Sequence, residues 1–120
     1  MKLYESAEDY LETILVLTTR NGSVRAIDIA KDMNFTKASV SVAMHKLQDN
    51  GLIVIATNGN IILTERGYQI ANSVYERHVV LTDAFVRLGV SPEQAKIDAC
   101  KIEHDLSKES FEAIKKAMGK

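Results

Sequence analysis

Side chains of the kinds that bind metal ions stand at helical spacing in separate parts of this chain. Asp9 and Glu12 are three residues apart, and Cys100 is followed by Glu103 and His104. Residues three or four apart lie on one face of an α-helix, so each group can present its donors to the same side. One more histidine stands between the two groups. The candidate metal ligands are Asp9, Glu12, His78, Cys100, Glu103 and His104.

The mixture of donors restricts the ion that would bind. Carboxylates suit hard ions, whereas imidazole and thiolate groups suit borderline ones. Six candidates exceed the four ligands that a structural zinc ion normally takes. The set therefore predicts an octahedral Mn²⁺ or Fe²⁺ site, or two adjacent ions. Cys100 favours iron and the oxygen donors favour manganese, and we expect Zn²⁺ and Co²⁺ to bind in vitro as well.

The first pair and the lone histidine also have ordinary structural explanations. Ser6 and Asp9 have the spacing of a capping box, in which case the first helix would begin later and Asp9 would only cap it. His78 lies within an apolar stripe, where a hydrogen-bonded core histidine is the usual occupant. The C-terminal group is the most specific, because its three donors share a side of a predicted helix that is neither the apolar side nor the charged side.

The segment between Glu12 and His78 has the pattern of a winged helix. A short helix is predicted at 26–33, a tight turn at Asn34-Phe35, and a second helix from Lys37 to Asn50 with Thr36 as its N-cap. Two β-branched apolar segments then flank Asn58-Gly59, a strong signal for a β-hairpin. An amphipathic helix of a bundle is the alternative for the second helix, and some winged helices bind proteins rather than DNA.

The predicted second helix has the side chains of a DNA-recognition helix. No carboxylate occurs between Met33 and Gln48, and the helix start is rich in small, hydroxyl-bearing and lysine side chains. Such side chains suit contacts with phosphates and base edges in a major groove. The candidate DNA-binding residues are Thr36, Lys37, Ala38, Ser39, Ser41, His45 and Lys46, with Asn58 in the wing.

The remainder of the chain is predicted to be helical. An amphipathic helix spans about 3–18, Thr64 caps a long helix that runs to about Leu88, a third begins at Ser91-Pro92, and Ser107 caps a last one. The expected fold class is mostly α, with one two-stranded β wing.

Composition limits the possible partners. The 120 residues carry a net charge of −1, so nucleic-acid binding must come from a local patch. No apolar run approaches the roughly 18 residues of a membrane span, and a single cysteine excludes an internal disulfide. We expect a cytoplasmic protein with no membrane partner and no small-molecule substrate.

The chain resembles the diphtheria-toxin-repressor family, which includes the manganese transport regulators. The resemblance rests on Glu8–Glu12, Asp28-Ile29-Ala30, the recognition stretch through Leu47, Asn58-Gly59, Arg77-His78 and Cys100–His104. It implies a winged-helix DNA-binding domain at 1–63 and a helical metal-binding and dimerisation domain at 64–120. It also implies a homodimer that binds double-stranded operator DNA when loaded with metal, most often as a repressor of metal-uptake genes. The six candidate ligands match the metal-binding positions of the family.

The resemblance leaves the ion open. The manganese branch has Glu where this chain has Cys100, and the iron branch has Met where this chain has Asp9. Two other functions are alternatives: a small metalloenzyme with Cys100 as nucleophile, and a winged-helix regulator that senses oxidants through Cys100. No glycine-rich loop or oxyanion motif supports an enzyme, so we expect none.

Overall fold

The computed structural model describes residues 5–120, and these form six α-helices and one antiparallel β-hairpin. The helices are α1 (Glu5–Asn21), α2 (Ala26–Met33), α3 (Lys37–Asp49), α4 (Glu65–Arg87), α5 (Pro92–Ile102) and α6 (Lys108–Ala117), and the strands are β1 (Ile53–Ile55) and β2 (Ile61–Leu63). The mostly helical fold with a two-stranded wing is as predicted. The expected start of the first helix, near residue 3, lies outside the described residues.

The chain divides into two compact units within α4. The first unit ends at Asn72, and the second is Ser73–Lys120. The predicted domain boundary between 63 and 64 stays a prediction. Within residues 5–120, no helix is both long enough and apolar enough to cross a membrane.

The helix-turn-helix of the first unit forms where the local signals predict it. Asn34 takes the left-handed conformation that ends α2, with φ 58°. Thr36 is the N-cap of α3, and its hydroxyl oxygen accepts a hydrogen bond from the Ser39 backbone N–H at 3.1 Å. This cap satisfies a donor that the first turn of a helix leaves without a partner.

The wing is a short hairpin tied to the helices beside it. Ile53 pairs with Leu63 and Ile55 with Ile61. The Ile55 N–H donates to Oε1 of Gln48 on α3 at 2.7 Å. Arg25, the N-cap of α2, donates from Nε to Oδ1 of Asn60 at 3.3 Å. The wing is therefore attached to the helix-turn-helix by the side chain of the α2 N-cap residue and by a side chain of α3.

The core of the first unit is built from one apolar stripe of each element. Its buried residues are Tyr10, Leu11, Ile14, Leu17, Val24, Ile29, Ala30, Val40, Met44, Leu47, Leu52, Ile53, Ile61 and Ala71. The start of α4 approaches the chain before β1 so closely that a Cβ on Gly67 would lie 1.9 Å from the Leu52 carbonyl oxygen. Glycine is therefore required at this helix position.

The second unit contains the end of α4 together with α5 and α6. Ser91 and Ser107 cap α5 and α6, as predicted, by accepting hydrogen bonds from Gln94 N–H and Ser110 N–H. One expectation was wrong. α5 ends at Ile102, so Glu103 is its C-cap and His104 lies in the turn that follows, rather than inside one continuous helix with Cys100.

Candidate metal centre and nucleic-acid interface

Three of the predicted metal ligands lie together in the second unit. His78 of α4, Cys100 of α5 and Glu103 at the end of α5 each place a donor atom within 4.8 Å of the other two. The imidazole Nδ1 of His78 is 3.0 Å from Oε2 of Glu103. His104 belongs to the same neighbourhood, because its Nε2 lies 3.5 Å from Oε1 of Glu103. The carboxylate of Glu103 thus lies beside His78, which is 25 positions earlier in the sequence.

Glu103 is the buried centre of this group. Its relative exposure is 1%, which makes it the one polar residue among the fully buried residues of the described chain. Oε1 accepts no hydrogen bond from any residue within 5–120. A buried carboxylate oxygen without a donor is costly, and a cation bound at that oxygen would remove the cost. The donor set and its buried carboxylate therefore fit a divalent metal ion.

Arg77 fixes the backbone that carries these donors. Its guanidinium Nη1 donates to the carbonyl oxygen of Glu103 at 3.1 Å and to that of Leu106. The same guanidinium lies over the ring of Phe111, 5.2 Å from its centroid. Carbonyl groups at the end of a helix have no partner within the helix. Arg77 supplies donors there and so holds the α5–α6 turn in place next to His78.

Asp9 and Glu12 lie on α1 in the first unit, and both are partly buried. Because α1 already includes Glu5 and Ser6, Ser6 is not an N-cap, and the capping-box alternative for Asp9 is wrong. Tyr10, next in sequence, packs edge-on against Phe35 with 5.9 Å between ring centroids. Burial raises the pKa of the Tyr10 phenol.

The predicted DNA-binding residues of α3 form one exposed face. Val40, Met44 and Leu47 are buried against the unit, and the opposite side of the helix is open to solvent. The exposed predicted residues are Thr36, Lys37, Ala38, Ser39, Ser41, His45 and Lys46, and Asn58 is exposed in the wing. Val42 shares this face, although the sequence prediction did not include it.

Sequence reasoning also missed the side chains that position these surfaces. Arg77 was noticed only as part of the family resemblance, and Arg25 and Gln48 were not identified. The pairing of Arg25 with Asn60 spans 35 residues, so no local pattern predicts it. The hydrogen bond between Ile55 and Gln48 joins two different elements seven residues apart, and no local pattern predicts it either.

Comparison with known proteins identifies relatives along the whole chain. Residues 2–60 match the family described as "Iron dependent repressor, N-terminal DNA binding domain", and residues 64–120 match "Iron dependent repressor, metal binding and dimerisation domain". The transcriptional regulator MntR of Escherichia coli O6:H1 is 32% identical over 111 residues, which are 92% of this chain and 72% of that regulator.

Solved structures share the fold. IdeR of T. acidophilum superposes with a TM-score of 0.85 at 25% identity, over 100% of this chain and 56% of that one. A manganese-dependent transcriptional repressor in complex with manganese superposes with a TM-score of 0.82 at 26% identity, over 94% of this chain and 52% of that one. The chain thus spans about half the length of these two solved structures.

Proposed function

The chain belongs to the iron-dependent repressor family of metal-dependent, DNA-binding transcription regulators, and we propose that it represses metal-uptake genes by binding their operators as a homodimer loaded with Mn²⁺ or Fe²⁺. The proposal includes a DNA-binding domain at 1–63, a metal-binding and dimerisation domain at 64–120, and a cytoplasmic location.

The observation that carries the metal dependence is the buried Glu103 carboxylate with His78 and Cys100 around it. We assign the ligands to Asp9, Glu12, His78, Cys100, Glu103 and His104. A bound divalent ion would supply positive charge among these anionic donors and offset their mutual repulsion. Arg77 does not reach the ion in this scheme. It holds the α5–α6 turn through the Glu103 and Leu106 carbonyls.

The ion is proposed to be Mn²⁺ or Fe²⁺ from the chemistry of the donors. Three carboxylates favour Mn²⁺, and the thiol of Cys100 favours Fe²⁺. The related repressor whose structure contains manganese supports the first choice. Zn²⁺ and Co²⁺ should bind the isolated protein, since affinity follows ligand type more than biological availability.

DNA recognition is assigned to the exposed face of α3 and to the wing. Lysines and hydroxyl groups at the start of α3 would contact phosphates and base edges, and Asn58 would contact the backbone from the wing. A dimer presents two such faces, and they fit half-sites about 34 Å apart or a multiple of that distance. Because the assigned ligands come from both units, metal binding and DNA binding would be linked, typically by about 5–150-fold in affinity.

Metal titration of DNA binding by the His104→Ala variant tests this proposal. The metal concentration needed for half-maximal operator binding should rise at least roughly tenfold, because the loss even of residues that only support ligands costs about 10–100-fold in metal affinity. Weak binding without metal should be unchanged. A mobility-shift assay under anaerobic conditions, with Mn²⁺ and Fe²⁺ titrated separately, measures both quantities.

Lys101→Ala is the matched control, because Lys101 is an exposed residue of α5 that is not a candidate ligand. Its metal response should equal that of the unaltered protein. If His104→Ala retains the normal metal response, the ligand assignment is wrong.

A further inference from the structure

Val42 occupies the outermost line of the recognition helix. Two residues turn an α-helix by about 200°, so Val42 points almost directly away from Val40, which is fully buried. Val42 is 57% exposed, although β-branched apolar side chains are usually buried. Its nearest neighbours on the exposed face are polar or small. The helix therefore carries one protruding apolar side chain at the middle of the surface assigned to DNA.

The neighbours of Val42 leave it the most extended apolar group on this face. Ala38, one turn before it, has only a methyl group, and Ser41 is also small. The imidazole of His45 is turned back onto its own helix, with Nδ1 2.8 Å from the Ser41 carbonyl oxygen. A groove floor that approaches α3 would consequently meet the two methyl groups of Val42 beyond the shorter side chains of Ala38 and Ser41.

We propose that Val42 determines base specificity by packing against the C5-methyl group of a thymine in the major groove. The inference rests on the proposed function, since it requires α3 to enter the groove. Thymine is the only base that presents a methyl group there, and apolar side chains are its usual partners. Hydroxyl and lysine side chains on the same face are compatible with several bases or with phosphates. Val42 would thus contribute sequence preference, whereas Lys37 and Lys46 would contribute general affinity.

The test replaces thymine by deoxyuridine, which lacks only the methyl group. Duplexes that bind the unaltered, Mn²⁺-loaded protein are first selected from a random library, and each thymine of a selected half-site is then changed to deoxyuridine in turn. At one position, affinity should fall about fourfold, the effect of removing one buried methyl group. Replacement of that thymine in both half-sites should lower affinity roughly 15-fold.

Val42→Ala should remove this discrimination. Its affinity for thymine and deoxyuridine duplexes should differ by less than about 1.5-fold at the same position, while its response to Mn²⁺ stays normal. Val42 is exposed, and alanine has the higher helix propensity, so the variant should remain folded. Val86→Ala, at a 40% exposed valine near the end of α4, is the matched control and should keep the full preference for thymine.

The possible outcomes separate the two proposals. If no duplex is selected, or if selected duplexes bind without metal dependence, the proposed function fails and this inference fails with it. If duplexes bind in a metal-dependent manner but no thymine position responds to deoxyuridine, only the role of Val42 is overturned. The same holds if Val42→Ala discriminates as well as the unaltered protein.

Discussion

The environment of a single side chain separates Glu103 from the other carboxylates. The other acidic residues whose burial is described are exposed or partly buried, and only Glu103 combines full burial with an oxygen that receives no hydrogen bond from the described residues. His78, adjacent to its other oxygen, was open to explanation as an ordinary core histidine. Its Nδ1 faces the carboxylate at 3.0 Å, which either explanation allows, and its side chain is 23% exposed. The roles of His78 and Glu103 can therefore be interpreted only together.

Substitution of Lys37 tests the assignment of α3 at the same scale. Lys37→Ala should weaken binding to all duplexes to a similar extent, because a lysine on a phosphate contributes affinity without sequence information. The slope of log affinity against log salt concentration should become shallower by about 0.9 for each phosphate that is no longer neutralised. Mobility shifts at several salt concentrations measure the slope.

Lys108→Ala provides a charge-matched comparison, because Lys108 is an exposed residue at the start of α6. Its salt slope should match that of the unaltered protein. Equal slopes for Lys37→Ala and the unaltered protein would mean that the start of α3 does not contact DNA.

The end of α5 is decided by a contact between elements rather than by its own sequence. The spacing of Cys100, Glu103 and His104 predicted a continuous helix, but α5 ends at Ile102. Arg77 of α4 accounts for the stability of the turn that replaces the last helical residues, because it supplies donors to two of its carbonyl oxygens. Cys100 and Glu103 still converge, because a C-cap in helical conformation keeps Glu103 near the face of Cys100.

The packing of α4 on the chain before β1 gives a prediction at the scale of elements. Gly67→Ala should destabilise the protein by roughly 1–3 kcal/mol or more, because the new Cβ would overlap the Leu52 carbonyl, which is backbone. An ordinary glycine-to-alanine change within a helix instead stabilises the protein, by about 1 kcal/mol. Thermal unfolding followed by circular dichroism measures the change.

Asn72→Ala is the comparison within the same helix, because Asn72 is exposed and its side chain can be shortened without a clash. It should leave the midpoint of unfolding unchanged or slightly higher, because alanine has the higher helix propensity. A Gly67→Ala protein as stable as Asn72→Ala would show that α4 can move away from Leu52 at little cost.

Metal binding should be visible in the stability of the whole molecule without DNA. An ion that binds only the folded chain, at roughly 100 times its dissociation constant, stabilises it by about 2.7 kcal/mol. For a chain of this size that corresponds to a rise in Tm on the order of 10 °C. Calorimetry in Mn²⁺, with Mg²⁺ as the reference ion, measures the rise.

Glu103→Gln should remove most of that rise while its metal-free Tm stays equal or increases. The substitution keeps the shape of the side chain and removes a buried negative charge that is expensive without a cation. A variant that keeps the full Mn²⁺-dependent rise would exclude Glu103 as a ligand.

The sequence alone determined the features that depend on neighbours within a few residues. Helix α2 lies at the predicted 26–33, and Thr36, Ser91 and Ser107 are caps, because a cap or a left-handed turn residue acts through the nearest backbone groups. The hairpin at Asn58-Gly59 was found for the same reason. Of that pair, Gly59 has a positive φ and Asn58 does not, and the loop is closed by hydrogen bonds from Ala56 N–H to the Asn60 carbonyl and from Gly59 N–H to the Ala56 carbonyl.

The tertiary structure decided what depends on residues far apart in the chain. Burial of Glu103, the Arg77 contacts that end α5, and the attachment of the wing through Arg25 and Gln48 all join positions that no local pattern connects. The degree to which Val42 is exposed, 57%, was likewise decided by the tertiary structure. Local backbone chemistry fixes where elements begin and turn, whereas burial and long-range hydrogen bonding fix which side chains meet.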